Sequence, residues 1–163
     1  MMTNTQSNSN HVEHRRDATY HLRPARETEA AAIKELIHQV GINPMDLDWR
    51  RFVVAVDAQD QIIATGQIKA HRNDIHELAS IAVIPDYRGQ GLARAIIEHL
   101  LKDSPRPLYL TCISSLESLY QRFGFVSLPY EEMPRYFQRL TKLASLMFMF
   151  ASGNERLLVM KLQ

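Results

Sequence analysis

Residues 77 to 101 read ELASIAVIPDYRGQGLARAIIEHLL, from Glu77 to Leu101. An apolar strand, Leu78 to Ile84, runs into Pro85-Asp86-Tyr87. Arg88-Gly89-Gln90-Gly91-Leu92-Ala93 then opens an amphipathic helix. Glycines let a backbone approach a ligand closely. The first turn of a helix carries unpaired N–H groups and the positive end of the macrodipole. A pyrophosphate suits that place. The stretch therefore predicts a phosphorylated ligand held at residues 88 to 94.

Three glycine patterns compete for that ligand. A P-loop needs Lys-Ser/Thr after its last glycine, but Leu92-Ala93 follow Gly91. A dinucleotide fingerprint needs a small residue where Arg94 sits. It also needs an acid about 20 residues on, and Leu108 to Thr111 contain none. The third pattern is Arg/Gln-x-x-Gly-x-Gly/Ala, filled here by Arg88, Gly91 and Ala93. It resembles the coenzyme A-binding motif of the GNAT acetyltransferase superfamily. Two glycines before a helix are ordinarily just a cap; a full match behind an apolar strand is less ordinary.

The whole chain sets wider bounds. Its 163 residues suit one domain with a real core. Hydrophobic content of 45% and charged content of 23% are those of a globular protein. A net charge of +1 favours neither nucleic acid nor an anionic membrane as partner. One cysteine excludes an internal disulfide and fits a reducing compartment, so a cytoplasmic location is expected. The apolar run Leu143–Ala151 is too short to span a bilayer. Met1 to Asp17 lacks an apolar segment and reads as a disordered tail, leaving 18–163 as the domain.

Periodicity predicts the order of elements. Ala18–Pro24 reads as strand and Glu27–Val40 as helix, with Ala31, Ile33, Leu36, Ile37 and Val40 as its apolar stripe. Arg51–Val56 and Gln61–Lys69 read as a hairpin, followed by the strand Glu77–Ile84 and the helix Gly91–Lys102. Leu108–Cys112 is a strand. Leu116–Phe123 is a short helix with Leu116, Leu119, Tyr120 and Phe123 on one face. Phe125–Leu128 is strand, Tyr130–Phe150 mainly helix, Gly153-Asn154 a turn and Arg156–Leu162 the last strand. The fold class is α/β (α+β): one mixed, mostly antiparallel sheet flanked by helices. That order is similar to the GNAT fold over Tyr20 to Leu162. One departure is the stretch Pro129–Glu155, which adds a helix where the family has a short connection before its last strand.

The resemblance implies an acetyl-CoA-dependent N-acetyltransferase, with acetyl-CoA as co-substrate and no metal. Its pyrophosphate would lie at Arg88, Gly89, Gln90, Gly91, Leu92, Ala93 and Arg94. Its arm would run along Ile81, Ala82 and Val83, where the family has a strand bulge. Glu77 would be the general base, against the plainer reading of a strand-end acid paired with a neighbour such as His76. Leu119-Tyr120-Gln121-Arg122-Phe123-Gly124-Phe125 resembles the family's Leu-Tyr-x-x-x-Gly-Phe segment, which makes Tyr120 the acid for the leaving thiolate. A phenol near pKa 10 can serve so at neutral pH. Where the family often has an asparagine, seven residues before that tyrosine, this chain has Ile113; Ser114 or Ser115 are possible substitutes.

Other residues carry plainer readings. Cys112, with no histidine nearby in sequence, reads as a buried thiol rather than a nucleophile. The seven histidines match no metal spacing, and read as surface residues. Acceptor residues are sought in Asn43–Arg51, which holds Trp49, Asp46, Asp48, Arg50 and Arg51, and among Tyr130, Glu131, Glu132 and Tyr136. The acceptor is expected to be a small-molecule or peptide amine. Leu146–Phe150 reads as core, lid or homodimer contact. The rival functions are a non-catalytic acyl-CoA-binding module and a peptide or protein acetyltransferase.

Overall fold

The computed structural model describes residues 19–148 and 155–163, the side chains of 146–148 excepted. The expectations for Met1–Asp17, for Leu146–Phe150 and for Gly153-Asn154 lie outside what it describes. The strands are β1 (His21–Pro24), β2 (Phe52–Val56), β3 (Ile62–Ala70), β4 (His76–Val83), β5 (Leu108–Ile113), β6 (Val126–Ser127) and β7 (Leu157–Leu162). The helices are α1 (Ala30–Gln39), α2 (Leu92–Lys102), α3 (Glu117–Gln121) and α4 (Arg135–Phe148). The strands form one sheet in the order β1-β2-β3-β4-β5-β7-β6. Every pairing is antiparallel except β4 with β5. The expected fold class holds, the extra helix before the last strand included.

Each helix is placed by its apolar stripe. Ile33, Leu36 and Ile37 of α1 are buried against Phe52, Val54, Val56 and Ala82 on one face of the sheet. Leu92, Ile96 and Ile97 of α2 are buried on the other face, against Val53, Ala64, Leu78 and Leu110. Each such side chain contributes about 1.5–3 kcal/mol when removed from water. Leu110 faces α2, so its neighbour Tyr109 faces away from it. There Tyr109 meets Phe137 of α4, ring centroids 5.4 Å apart. Thus α1 and α4 share one face. Two stripe residues are corrected: Ala31 and Leu116 are exposed. Each sits in the first turn of its segment, before the helix is seated on the sheet.

Two irregularities in β4 matter most. Thr65 pairs with Ala82 and Gln67 with Ala79, so two steps on β3 oppose three on β4. This is a β-bulge. Its strained residue is Ser80, at φ 57°, a conformation uncommon for anything but glycine. Two fully buried polar side chains hold it there. Thr65 Oγ1 donates to the Ser80 carbonyl at 3.2 Å, and Gln67 Nε2 donates to Ser80 Oγ at 2.9 Å. The second irregularity is on the other edge of β4. Pairing with β5 runs from His76↔Leu108 to Leu78↔Leu110 and then stops. β5 continues along β7 to Ile113↔Leu157, so the two parallel strands part beyond Leu78.

Beside the bulge, Gly66 gives α2 its close seat on β3. A Cβ at Gly66 would lie 2.5 Å from Ile96 Cγ2 and 2.7 Å from Ile81 Cδ1. Gly66→Ala is therefore expected to lower the unfolding free energy by about 1–3 kcal/mol through overpacking. Urea denaturation measures this; an unchanged midpoint would mean that α2 moves away freely.

Candidate active site

The glycine turn and the helix start fall where the sequence places them. Gly89 and Gly91 have φ 75° and 81°, and no atom lies within 4 Å of a Cβ built on either. The turn is thus open on the side that a ligand would occupy. Among the described residues, no acceptor meets the backbone N–H groups of Gly89, Gly91, Leu92, Ala93 and Arg94. The last three are orphan donors of the first helical turn. The side chains contribute less. Leu92 is buried in the core, Arg94 pairs with Glu98 at 2.7 Å on the surface, and Arg88 Nε donates to the Val83 carbonyl at 3.4 Å. A phosphate group fits this row of amide donors.

From that turn the parting of β4 and β5 leads inward. Ala82 is buried, and Ile81 and Val83 are half-buried among the apolar side chains, so their backbone faces the parting while their side chains serve the core. Tyr120 lies in the cluster formed by Leu78, Cys112, Phe125 and Met160, and is 8% exposed. Burial, with the Cys112 thiol beside it, pushes its phenol up to about 12. Cys112 is a buried thiol, as expected; its Sγ faces Met160 Sδ at 3.8 Å, and burial pushes it up to about 11. Ser114 and Ser115 are both engaged by Glu155: Ser114 Oγ donates at 2.8 Å and the Ser115 N–H at 3.2 Å.

On the opposite face, between α1 and α4, the sheet is polar. Glu77 is buried one residue before the strands part. Its Oε1 accepts from Thr111 Oγ1 at 3.1 Å, and its Oε2 lies 2.7 Å from His71 Nε2. Its partner is His71 and not His76, whose Nδ1 lies 3.1 Å from the Asp74 carbonyl. His71 corrects the expectation of a surface histidine: its side chain is 13% exposed. Tyr136 of α4 stacks on its ring with centroids 4.2 Å apart, and Phe137 meets it edge-on. Lys69 is buried beside them and donates to the Met45 carbonyl at 2.8 Å. Desolvation lowers its pKa, while Glu77 and Asp46 oppose the shift. Tyr136 is raised by burial and then by the same two carboxylates.

The Asn43–Arg51 segment contributes only in part. Asp46 pairs with Arg51 at 2.6 Å, which holds its carboxyl below the usual range. The Asp46 carbonyl accepts from Gln67 Nε2 at 3.4 Å, tying the segment to the bulge. Trp49 packs against the α1 core with Arg50 over its ring at 4.9 Å. Asp48 caps the turn by accepting from the Arg50 N–H. Glu131 and Glu132 are exposed, and Tyr130 sits beneath Lys142. The residues missed by the sequence reading are Thr65, Gln67, Lys69 and His71. Thr65, Gln67 and Lys69 form a polar row of period two along β3, whose other positions are apolar or glycine, and His71 continues it one residue beyond the strand. That alternation is the available signal. Among the described residues no group of three or more His, Cys, Asp or Glu could hold a metal, and no helix is long and apolar enough to cross a membrane.

Comparison with known proteins agrees with this geometry. Residues 48–127 match the family model described as an acetyltransferase (GNAT) domain. The chain belongs to the GNAT superfamily. This GNAT domain is similar in fold to N-acetylglutamate synthase from Neisseria gonorrhoeae, solved with coenzyme A and N-acetyl-glutamate. The TM-score is 0.65 at 16% identity, over 90% of this chain and 36% of the synthase, so the chain spans about a third of that protein. A Mycobacterium tuberculosis protein solved in complex with CoA gives a TM-score of 0.63 at 19% identity, over 88% of this chain and 99% of that one. The ribosomal-protein-S18-alanine N-acetyltransferase of Escherichia coli gives 0.63 at 21%, over 88% and 93%. No curated protein sequence matches.

The buried phenol and thiol predict a weakness at high pH. Both folded-state values lie above the unfolded ones of 10.0 and 9.0. Their contribution to stability is therefore complete below about pH 9 and lost as pH rises through 11 and 12. For Tyr120 a rise from 10.0 to about 12 corresponds to about 2.7 kcal/mol. Denaturant midpoints taken from pH 8 to 11.5 should fall steeply, and less steeply in Tyr120→Phe; equal slopes would contradict the burial of the hydroxyl.

Proposed function

We propose that this protein is an N-acetyltransferase that moves an acetyl group from acetyl-CoA to a small primary amine by direct attack. The observation that carries it is the parting of β4 from β5 beyond Leu78, led into by a turn whose Gly89, Gly91, Leu92, Ala93 and Arg94 amides are unmatched. The donors of Gly89 to Arg94 would hold the pyrophosphate. The freed edge of β4 at Ile81 to Val83 would pair with the extended arm. A backbone N–H at this edge would donate to the thioester oxygen as charge builds there, a contribution of about 2.7–4 kcal/mol.

The thioester supplies an activated acyl carbon and a thiolate leaving group. Glu77 is a buried carboxylate of the acceptor side, and the amine's proton leaves toward it. Tyr120 stands on the donor side. Its phenol keeps its proton at neutral pH, and that proton goes to the thiolate as the C–S bond breaks. The acceptor enters between α1 and α4. Tyr136 and Phe137 cover His71 and Tyr109 there, so the inserted helix narrows that end of the face. This favours a compact amine over an extended peptide. The charges around the acceptor are mixed: Asp46 and Glu77 against Arg51 and Lys69.

Acetyl-CoA at 100 times its dissociation constant should stabilise the fold by about 2.7 kcal/mol, seen as a rise in melting temperature. No rise at millimolar acetyl-CoA would end the proposal. Free-thiol release with a panel of amines separates an enzyme from a non-catalytic binder. Tyr120→Phe should lower kcat at least tenfold while the acetyl-CoA shift persists; unchanged kcat would remove its role as acid.

A further inference from the structure

Glu77 itself is poorly placed to meet an amine. It is buried, and both carboxylate oxygens are engaged: Oε1 by Thr111 and Oε2 by His71. A carboxylate can only accept hydrogen bonds, so the hydrogen in the 2.7 Å contact sits on His71 Nε2. The neutral ring then carries its lone pair on Nδ1. Among the described residues no group bonds that nitrogen. The ring is held on one side by Tyr136 and at its edge by Phe137. Histidine with a carboxylate behind it is an effective way of presenting a base, since the carboxylate sets the tautomer and faces the imidazolium that forms.

We propose that the base of the acceptor site is His71 Nδ1, with Glu77 as the residue that positions it. This rests on the acetyltransferase reading above. The amine lone pair forms the new N–C bond and the C–S bond breaks. An amine N–H proton passes to His71 Nδ1, leaving an imidazolium whose Nε2–H stays on Glu77. The thiolate takes its proton from Tyr120, and the phenolate recovers one from the imidazolium through water. The groups that surround the dyad are Lys69 on β3, Thr111 on β5, Asp46 and Arg51 from the 43–51 segment, and Tyr136 on α4. The charges of Lys69 and Arg51 oppose those of Asp46 and Glu77 in sign.

Two measurements test this, and they fail separately from the acetyltransferase reading. In protein carrying ¹⁵N-histidine, without acetyl-CoA, the neutral His71 ring should show Nε2–H and a bare Nδ1, its signals identified by their loss in His71→Gln. The opposite tautomer overturns the proposal whether or not the protein transfers acetyl groups. In turnover, His71→Gly should lose about 10²–10⁴ in rate yet keep the melting-temperature shift with acetyl-CoA. Added imidazole should restore at least tenfold, more so for more basic imidazoles. His71→Gln fills the space and should be equally slow and not rescued. Full rate in His71→Gln, or no rescue of a folded His71→Gly that still binds acetyl-CoA, overturns the proposal.

Discussion

The contact between Ser80 and the two buried polar side chains of β3 is what the rest of this structure depends on. A left-handed serine inside a strand costs on the order of 1–2 kcal/mol. It persists because Thr65 and Gln67 are fully buried and donate to Ser80, and a buried donor left unpaired would cost as much or more. The bulge twists β4 away from β5, and the parting is its outcome. Gly66, between those two residues, lets α2 close down on the same spot from the other face. One short segment of β3 thereby sets the sheet's irregularity, the seat of the helix that follows the glycine turn, and the inner edge of the proposed acyl site.

Sequence made one side of the site legible and left the other dark. Arg88, Gly91 and Ala93 sit at fixed spacing on one continuous strand–turn–helix, so local geometry is enough to place their amides. Tyr120 stands out from its apolar stripe because Gly124-Phe125 follow it four and five residues on. The order of elements along the chain, the hairpin of β2 and β3 and the added helix also follow from periodicity, with ends displaced by a residue or two in most elements, by three at the start of β1 and by five at the start of α4. Ala31 and Leu116 went wrong where apolar character at a helix start does not guarantee contact with the sheet. The acceptor side depends on contacts that cross long stretches of chain: His71 with Tyr136, Glu77 with Thr111, Lys69 with Met45. None of these pairs has a local pattern. The polar row Thr65, Gln67, Lys69 and His71 was visible, but alternation alone does not distinguish a solvated face from a buried working one.

The inserted helix α4 changes how that buried face can be used. Without it, the His71 side chain would lie uncovered at the base of the turn between β3 and β4, where a ring has many orientations. Tyr136 and Phe137 remove most of them, and Glu77 removes the remaining freedom about the ring plane. The amphipathic pattern of α4, with Phe137 and Leu140 inward and Arg135, Arg139 and Lys142 outward, is thus tied to the site through its inward stripe.

The polar row also acts as a ruler. Thr65, Gln67, Lys69 and His71 follow one extended backbone segment, and each step of two residues spans about 6.6–6.8 Å. The backbone from the bulge anchor at Gln67 to His71, the residue that follows β3, then spans about 13 Å, fixed by the β3–β4 pairing up to Ala70 and by the bond from the His71 N–H to the Ile75 carbonyl. The proposed donor and acceptor sites are thus indexed to the same strand and the residue that follows it. An acceptor that needs a longer or shorter reach cannot be accommodated by loosening a hinge, because no hinge lies between the two. Selectivity for acceptor length would thus be a property of β3 itself.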